Sequence, residues 1–396
     1  MRRRDFLGLM GALATAGAAG LPGARPAAAQ PDRLAWWDPA TNAAPTPPDF
    51  VALEWRYLAG RISRSAEDFG FVVSLADYNP LPPVSTTSRN ELLVMRQEFT
   101  GAQSHTTRTY SGTLSYDGAS GTYSFTTPDN PAVSATWRLD SVAQTYALSV
   151  AAPELTVTDL VLAPQGPLIA EGGDGEISSG NFSLNGVPVN LLSDYYADWV
   201  AISSGGQPLG LGRLDMQTIR PTFGTNAQPG FSHHWFALAA TLADDTDVWV
   251  SGWEIVTAAA TVWALTVVTG RGAWNVSSYT HESFSGAQPL AVRVLAYQAV
   301  PDTSPARRSG RRWRFRAGQG APGDLLDVTI TVPEGQYIQN ARASSVTGIA
   351  MQESLGLEAV GSVGGLAIRR TDFAIVESTY SEPGLPYLVG LPVLRG

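Results

Sequence analysis

Two side chains near the middle of the chain could orient a proton and cover a positive charge. His233 and Trp235 are two residues apart in a segment with strand character, so they share one face, while His234 and Phe236 share the other. A histidine and a tryptophan inside a barrel could orient a proton donor and stabilise a developing cation. The structural alternative is a histidine bonded to a backbone carbonyl beside a core tryptophan.

Glu254 is the candidate proton donor. It stands between Trp253 and Ile255 in an apolar strand. A carboxyl group that faces an apolar interior has a raised pKa and can donate a proton near neutral pH. The alternatives are a glutamate that faces solvent and one that pairs with an arginine. Tyr196 could supply a phenol to a pocket, or it could pack within an aromatic strand.

Two other charged groups are predicted to be structural. Glu54 and Arg56 share a strand face and are expected to form an ion pair at a barrel end. Residues 301–316 carry six arginines, which could form a patch for anions or a membrane surface. In an acidic protein we favour a solvated hairpin, in which Trp313 and Phe315 point inward. The arginines expected to point outward from its strand are Arg312, Arg314 and Arg316.

Composition excludes several kinds of chemistry. All 26 basic residues of the 396 are arginine, which excludes a lysine Schiff base and a P-loop lysine. The absence of cysteine excludes thiol catalysis, disulfides and thiolate metal sites. Four histidines are little material for a metal site, and the net charge of −9 argues against a nucleic-acid partner. We therefore expect no metal and no cofactor.

The first thirty residues predict export. Arg3-Arg4-Asp5-Phe6-Leu7 has a twin-arginine pattern, residues 8–21 are uncharged and apolar, and Ala27-Ala28-Ala29 offers a cleavage site. The apolar run is shorter than the roughly 20 residues of a membrane-spanning helix. Since no later stretch is long and apolar enough, the mature protein is expected to lack a transmembrane span and to be periplasmic or extracellular.

The remaining chain has the pattern of an all-β protein. Residues 106–116 and 122–127 predict a hairpin around Asp117-Gly118, and residues 291–300 alternate like a strand. A segment rich in glycine, proline and asparagine, residues 220–230, separates two halves that are both rich in strands. Short strands with frequent turns predict a sandwich or a barrel.

Several separated stretches resemble one family in order along the chain. They are Glu54-Trp55-Arg56-Tyr57, Gly172-Gly173-Asp174-Gly175, Tyr195-Tyr196, His233-His234-Trp235-Phe236 and Gln352-Glu353. The family is that of predicted secreted hydrolases with AttH domains, which is related to carotenoid 1,2-hydratases and to fungal lipocalin-like cyclases. The resemblance implies two lipocalin-like antiparallel β-barrels packed together. The predicted organisation is an export signal in residues 1–30, an N-terminal barrel in residues 31–222 and a C-terminal barrel in residues 223–396.

The resemblance also implies a function. The His-x-Trp spacing resembles a pair implicated in carotenoid hydratases, and Glu254 loosely matches their acid aspartate. The predicted catalytic residues are His233, Trp235, Glu254 and Tyr196, for acid-initiated hydration, isomerisation or cyclisation of an apolar isoprenoid-like substrate. A non-catalytic carrier of a lipid or pigment is the alternative. The export signal departs from the intracellular hydratases, and the missing Gly-x-Ser-x-Gly motif gives the label "hydrolase" no support.

Overall fold

A computed structural model describes most of the chain after residue 52. The described ranges are 53–64, 67–79, 89–99, 105–128, 132–165, 168–171, 175–184, 187–223, 232–256, 261–269, 275–280, 290–300, 307–317, 326–333, 338–340, 350–356 and 358–380. The predicted export signal, residues 1–30, and residues 172–174 of the Gly-Asp-Gly motif lie outside these ranges, so both stay predictions.

Twelve strands belong to the first of two sheets. They are β1 (Leu53–Ser63), β2 (Asp68–Tyr78), β3 (Arg89–Glu98), β4 (His105–Asp117), β5 (Thr122–Thr126), β6 (Ser134–Asp140), β7 (Thr145–Ala151), β8 (Thr156–Pro164), β9 (Ile169–Ala170), β10 (Glu176–Leu184), β11 (Val187–Ser204) and β12 (Gln207–Phe223). The predicted hairpin is confirmed as β4 and β5.

Ten of these strands close into an antiparallel barrel. β1 to β8 pair consecutively, β8 pairs with β11, and β12 lies between β11 and β1. Val200 of β11 pairs with Pro164 of β8, and Leu58 of β1 pairs with Leu214 of β12. The closed ring contains ten strands, two more than an up-and-down lipocalin barrel has. Closure leaves these strands without an unpaired edge.

The barrel interior follows from the two-residue period of its strands. On β1 the side chains of Leu58 and Ile62 point inward and are fully buried. Gly60 lies between them, and a Cβ atom there would come within 2.9 Å of the Phe71 ring. Because Gly60 has no side chain, the Phe71 ring can occupy the space next to it in the core. Other buried members of this core include Val94, Phe125, Trp137, Leu148, Leu162 and Ile202.

Eleven strands form the second sheet. They are β13 (Ser232–Leu242), β14 (Asp247–Val256), β15 (Thr261–Thr269), β16 (Asn275–Thr280), β17 (Ala291–Val300), β18 (Arg307–Ala317), β19 (Leu326–Thr331), β20 (Ile338–Asn340), β21 (Ala350–Gly356), β22 (Glu358–Val363) and β23 (Leu366–Tyr380). The path of neighbouring strands is β16-β15-β14-β13-β23-β22-β19-β18-β17.

The second sheet curls around its own apolar core. Phe236 of β13 stacks on Phe315 of β18 with ring centroids 4.0 Å apart, although three strands separate β13 from β18 in the sheet. Only a curled sheet brings such strands face to face. In the described residues the two ends of this path are not joined by strand pairing, so the sheet is a half-barrel here, whereas the prediction was a second complete barrel.

The all-β prediction is confirmed in the described part of the chain. The ranges given above contain no α-helix. Within them, no helical segment has both the length and the apolar composition needed to cross a bilayer. The chain divides into two compact units. The passage after the first sheet lies between β12 and β13, and the end of β10 is grouped with the second unit. The exact domain limits, 31–222 and 223–396, stay predictions.

Gly112 on β4 tests the packing of the first barrel. A Cβ atom at this position would lie 2.3 Å from the Thr126 carbonyl oxygen and 2.6 Å from the Phe125 ring. We expect Gly112→Ala to lower the free energy of unfolding by about 1–3 kcal/mol, because a backbone atom cannot move aside cheaply.

Urea unfolding followed by circular dichroism measures this effect. Gly118→Ala is the matched control, since a Cβ atom there meets only the Tyr116 ring at 3.5 Å, an ordinary contact. Equal unfolding midpoints for the two variants would contradict the packing described for β4 and β5.

Candidate functional site

The β13–β14 hairpin determines which side chains meet inside the second sheet. A short turn joins the strands, and Asp245 in that turn has φ of 66°. The strands pair from Thr241 and Asp247 at the turn to His234 and Glu254 near the far end. Directly opposed residues of an antiparallel pair point to the same face with neighbouring Cβ atoms. His234 is therefore the histidine beside Glu254.

This register changes the composition of the predicted site. His233 pairs with Ile255, one position away from the pair that contains Glu254. Trp235 is buried and pairs with Trp253, so it lies on the sheet face opposite to Glu254. The sequence prediction placed both Trp235 and Glu254 toward one barrel lumen, whereas the register places them on opposite faces of the sheet; the catalytic role of Trp235 stays a prediction. The role predicted for His233 is not tested by its position in the register.

Glu254 faces the apolar interior and no cation shifts its pKa. Trp263 of β15 is its other cross-strand neighbour, and this indole is buried in the core. Burial raises the pKa of Glu254 from its ordinary value of 4.5 to about 7, and a hydrogen bond from the Val292 backbone N–H opposes part of that rise. Glu254 is therefore largely protonated in slightly acidic solution.

His234 remains neutral beside this carboxyl. Burial lowers the pKa of His234 from 6.5 to about 4, since the apolar surroundings disfavour the imidazolium ion. Its ring lies 5.4 Å from the Trp313 ring of β18, centroid to centroid. A neutral imidazole next to Glu254 adds no positive charge, so it does not pull the carboxyl toward its ionised form.

A layer of apolar side chains forms the floor of the site. Phe236 is one inward position along β13 from His234, and it stacks on Phe315. Gly252 pairs with Phe236, and a Cβ atom at Gly252 would lie 2.6 Å from the phenylalanine ring and 3.0 Å from Leu290. The glycine therefore allows the ring to lie close to β14.

His234 and Glu254 lie next to this floor. His234 and Glu254 each keep part of their accessible surface, although protein surrounds them closely enough to shift both pKa values. We define Glu254, His234, Trp263, Trp313 and the Val292 amide as the aromatic site. It combines one protonated carboxyl with aromatic walls.

Tyr196 lies in the other unit of the chain. It pairs with Met216 inside the first barrel and packs partly buried against that core. A Cβ atom at Gly175, which has φ of 82°, would lie 2.5 Å from the Tyr196 ring. Tyr196 thus belongs to the first barrel and Glu254 to the second sheet, and the role predicted for Tyr196 remains a prediction.

The first barrel contains a buried carboxyl of a different kind. Glu54 and Arg56 form the predicted ion pair inside the barrel, where they are 7% and 3% exposed. Arg56 also donates a hydrogen bond to the Tyr123 hydroxyl, and its guanidinium lies 3.6 Å from the centre of that ring. Asp77 stands opposite Glu54, and burial together with the charge of Glu54 raises the pKa of Asp77. Here arginine balances the charge.

The arginine-rich strand β18 follows its structural interpretation. Trp313 and Phe315 are buried, Arg312 is exposed, and Arg314 makes two hydrogen bonds of 2.9 and 2.7 Å to Asp327 of β19. The alternation that the sequence predicted is confirmed. This strand contributes to the site through the inward Trp313.

Sequence reasoning missed four of the five groups of the aromatic site. His234 could have been found from the turn, because a hairpin that pairs residue 241 with residue 247 must also pair residue 234 with residue 254. Trp263, Trp313 and the Val292 amide come from strands distant in sequence, and only the curl of the sheet places them near Glu254. In the described residues, no group of three or more histidines and acidic side chains is arranged to hold a metal.

Comparison with solved structures shows the fold. A candidate AttH protein from Nitrosomonas europaea superposes with a TM-score of 0.52 at 16% identity, covering 85% of this chain and 96% of that one. Kievitone hydratase from Nectria haematococca gives 0.48 at 13% identity, over 83% of this chain and 89% of that one. CghA with Sch210972 gives 0.44 at 11% identity, over 84% and 88%.

At the level of sequence, the chain shows no match to a known family. No protein-family model matches the chain, and no curated protein matches it. The similarity to the AttH protein extends over nearly that whole chain, so the predicted resemblance is confirmed at the level of structure. The chain has the fold of the Nitrosomonas AttH structure.

Replacing Glu254 by glutamine tests its electrostatic environment. The folded state holds the Glu254 proton up to about pH 7, whereas the unfolded chain releases it near pH 4.5. Wild-type protein therefore loses the stability contributed by this proton as the pH rises through this window, a loss that Glu254→Gln lacks. Across it, the variant should gain roughly 3 kcal/mol of unfolding free energy relative to wild type.

Denaturant unfolding at pH 4 and pH 8 measures this gain. Glu358→Gln, which removes an exposed glutamate from the same sheet, is the control and should change little between the two conditions. A Glu254→Gln variant that shows no pH-dependent gain over wild type would mean that the carboxyl is not desolvated.

Proposed function

We propose that the aromatic site transfers a proton from Glu254 to a carbon–carbon double bond of an apolar, isoprenoid-like ligand, in an exported protein. The observation that carries the proposal is the Glu254 carboxyl, which burial among aromatic side chains keeps protonated to about pH 7 although the residue is not fully buried. A general acid works best when its pKa lies near the operating pH. Glu254 meets that condition.

The reaction begins with the carboxyl proton. The π electrons of the double bond take this proton, a C–H bond forms on one carbon, and a cation develops on the other. Glu254 is left as a carboxylate. Water then adds its oxygen to the cation and returns a proton to Glu254, which gives an alcohol. Loss of a neighbouring proton to the carboxylate instead gives an isomerised alkene. Attack by a second double bond closes a ring and moves the cation to a new carbon, which then loses a neighbouring proton to the Glu254 carboxylate.

The walls of the site suit a cationic intermediate. The indoles of Trp263 and Trp313 present electron-rich surfaces, and a cation over such a ring gains about 0.5–2 kcal/mol or more when water is excluded. His234, which is neutral above its pKa of about 4, adds no repulsive charge. The Val292 N–H bond to Glu254 holds the carboxyl in place and stabilises the carboxylate that forms.

Deuterium incorporation tests the proposal without knowledge of the product. In heavy water Glu254 exchanges its proton, so every protonation of a double bond places deuterium on carbon. We expect wild-type protein to label farnesene or squalene, detected by mass spectrometry, and Glu254→Gln to reduce the labelling rate by at least about a hundredfold, the usual contribution of general acid catalysis.

Ligand retention separates the enzyme from a carrier. Glu254→Gln should still bind these alkenes, because glutamine preserves the shape of the protonated acid, and Glu358→Gln should retain full activity. If wild-type protein binds the alkenes but labels none of them, it is a carrier of apolar molecules. Equal labelling by wild type and Glu254→Gln would remove Glu254 from the reaction.

The pH profile provides an independent test. The reactive form of the enzyme has protonated Glu254, so the labelling rate should be highest below pH 7 and should fall about tenfold per unit well above that pH. The titration of His234 should cause no change in the labelling rate between pH 5 and 7, since this histidine is already neutral there. Rates measured from pH 5 to 9 in matched buffers provide the profile. A rate that rises through pH 7 would indicate a general base instead.

A further inference from the structure

Trp313, one of the five groups of the aromatic site, carries a buried hydrogen-bond donor. Its side chain is 3% exposed, and in the described part of the chain its indole Nε1–H has no acceptor. A buried polar group without a partner is unfavourable, and most such groups in native proteins are paired. An unpaired donor inside a candidate ligand site therefore indicates that the ligand supplies a hydrogen-bond acceptor.

The absence of a side chain at Gly310 leaves room for the nitrogen edge of the Trp313 indole. Gly310 lies beneath the indole, and a Cβ atom at Gly310 would come 2.2 Å from Cζ2 and 2.7 Å from Nε1. The Trp313 ring contacts the His234 ring, and His234 in turn stands beside Glu254 in the strand register. The Trp313 indole and the Glu254 carboxyl, which both carry a hydrogen-bond donor, are thus both neighbours of the His234 ring.

We infer that the ligand of the aromatic site presents a neutral oxygen, a hydroxyl or a carbonyl, to the indole N–H of Trp313. The site would then select oxygenated isoprenoids, such as alcohols and ketones, over pure hydrocarbons. This inference rests on the proposed function and narrows its ligand class. An oxygen accepts the hydrogen bond that a hydrocarbon cannot accept.

The surroundings of Trp313 favour a neutral acceptor. The ring of Trp313 contacts the rings of His234 and Phe315, and its cross-strand neighbours, Val294 and Ile330, are apolar. Arg312, Arg314 and Arg316 alternate with Trp313 along β18, whereas Arg311 is half-buried beside the bulge that faces β17. A carboxylate or phosphate would lose its hydration among these apolar side chains and would repel Glu254 in its ionised form. A hydroxyl or carbonyl oxygen carries no such cost.

A matched pair of ligands tests the inference. Farnesol and farnesene share an isoprenoid chain, and only farnesol has an oxygen. We expect wild-type protein to bind farnesol at least about fivefold more tightly than farnesene, the value of one neutral hydrogen bond. Trp313→Phe should abolish this preference mainly by weakening farnesol binding. Trp263→Phe, the matched control in the same interior, should weaken both ligands alike and keep their ratio.

An NMR measurement on the wild-type protein needs no variant to fold. With ¹⁵N-labelled tryptophan, the Trp313 indole resonance should move downfield on addition of farnesol and much less on addition of farnesene. Equal affinities with no selective shift would overturn the inference while leaving Glu254 as the proton donor. Binding of neither compound would contradict the proposed function and this inference together.

Discussion

The pairing register of β13 and β14 is the constraint on which the candidate site depends. Side chains alternate between the two faces of a strand, so a shift of one residue would exchange every inward side chain for its outward neighbour. In the observed register Glu254 and His234 point into the curled sheet, and Trp235 and Trp253 point to the other face. The turn around Asp245 sets this register, and it therefore determines which carboxyl can act as an acid.

Comparison of two buried glutamates shows how their surroundings determine their roles. Glu54 in the first barrel has Arg56 as its ion-pair partner, and that arginine also contacts Tyr123. Its charge is balanced, so the pair works as a structural element of the barrel. Glu254 in the second sheet has indole, imidazole and phenyl groups nearby and a single backbone N–H donor. With no cation to balance it, the neutral acid is favoured, and the carboxyl has a proton to give.

The two-residue alternation of the sequence was sufficient to predict much of the fold. It predicted the β4–β5 hairpin, the inward positions of Trp313 and Phe315, and the Glu54–Arg56 pair. Alternation is a local property, so it is readable from the chain. The ten-stranded closure of the first barrel and the open path of the second sheet depend on pairings between distant strands, which alternation does not encode.

The site was only partly predictable for the same reason. Glu254 was found because a lone carboxyl among apolar residues is visible in sequence. The spacing to Trp235 led the prediction to His233, whereas the hairpin register places His234 opposite Glu254. Trp313 and Val292 meet the site across the interior of the curled sheet, through contacts that no local pattern reveals.

The most direct test of this account is the pKa of Glu254 itself. Carbon-13 NMR of the glutamate side-chain carboxyls, with Glu254→Gln used to assign the resonance, follows its titration in the folded protein. If Glu254 is desolvated as described, its carboxyl should titrate with a midpoint near pH 7, well above that of an ordinary glutamate. A midpoint at or below pH 5 would show that the carboxyl is solvated or paired with a cation, and the proposed proton donor would be lost.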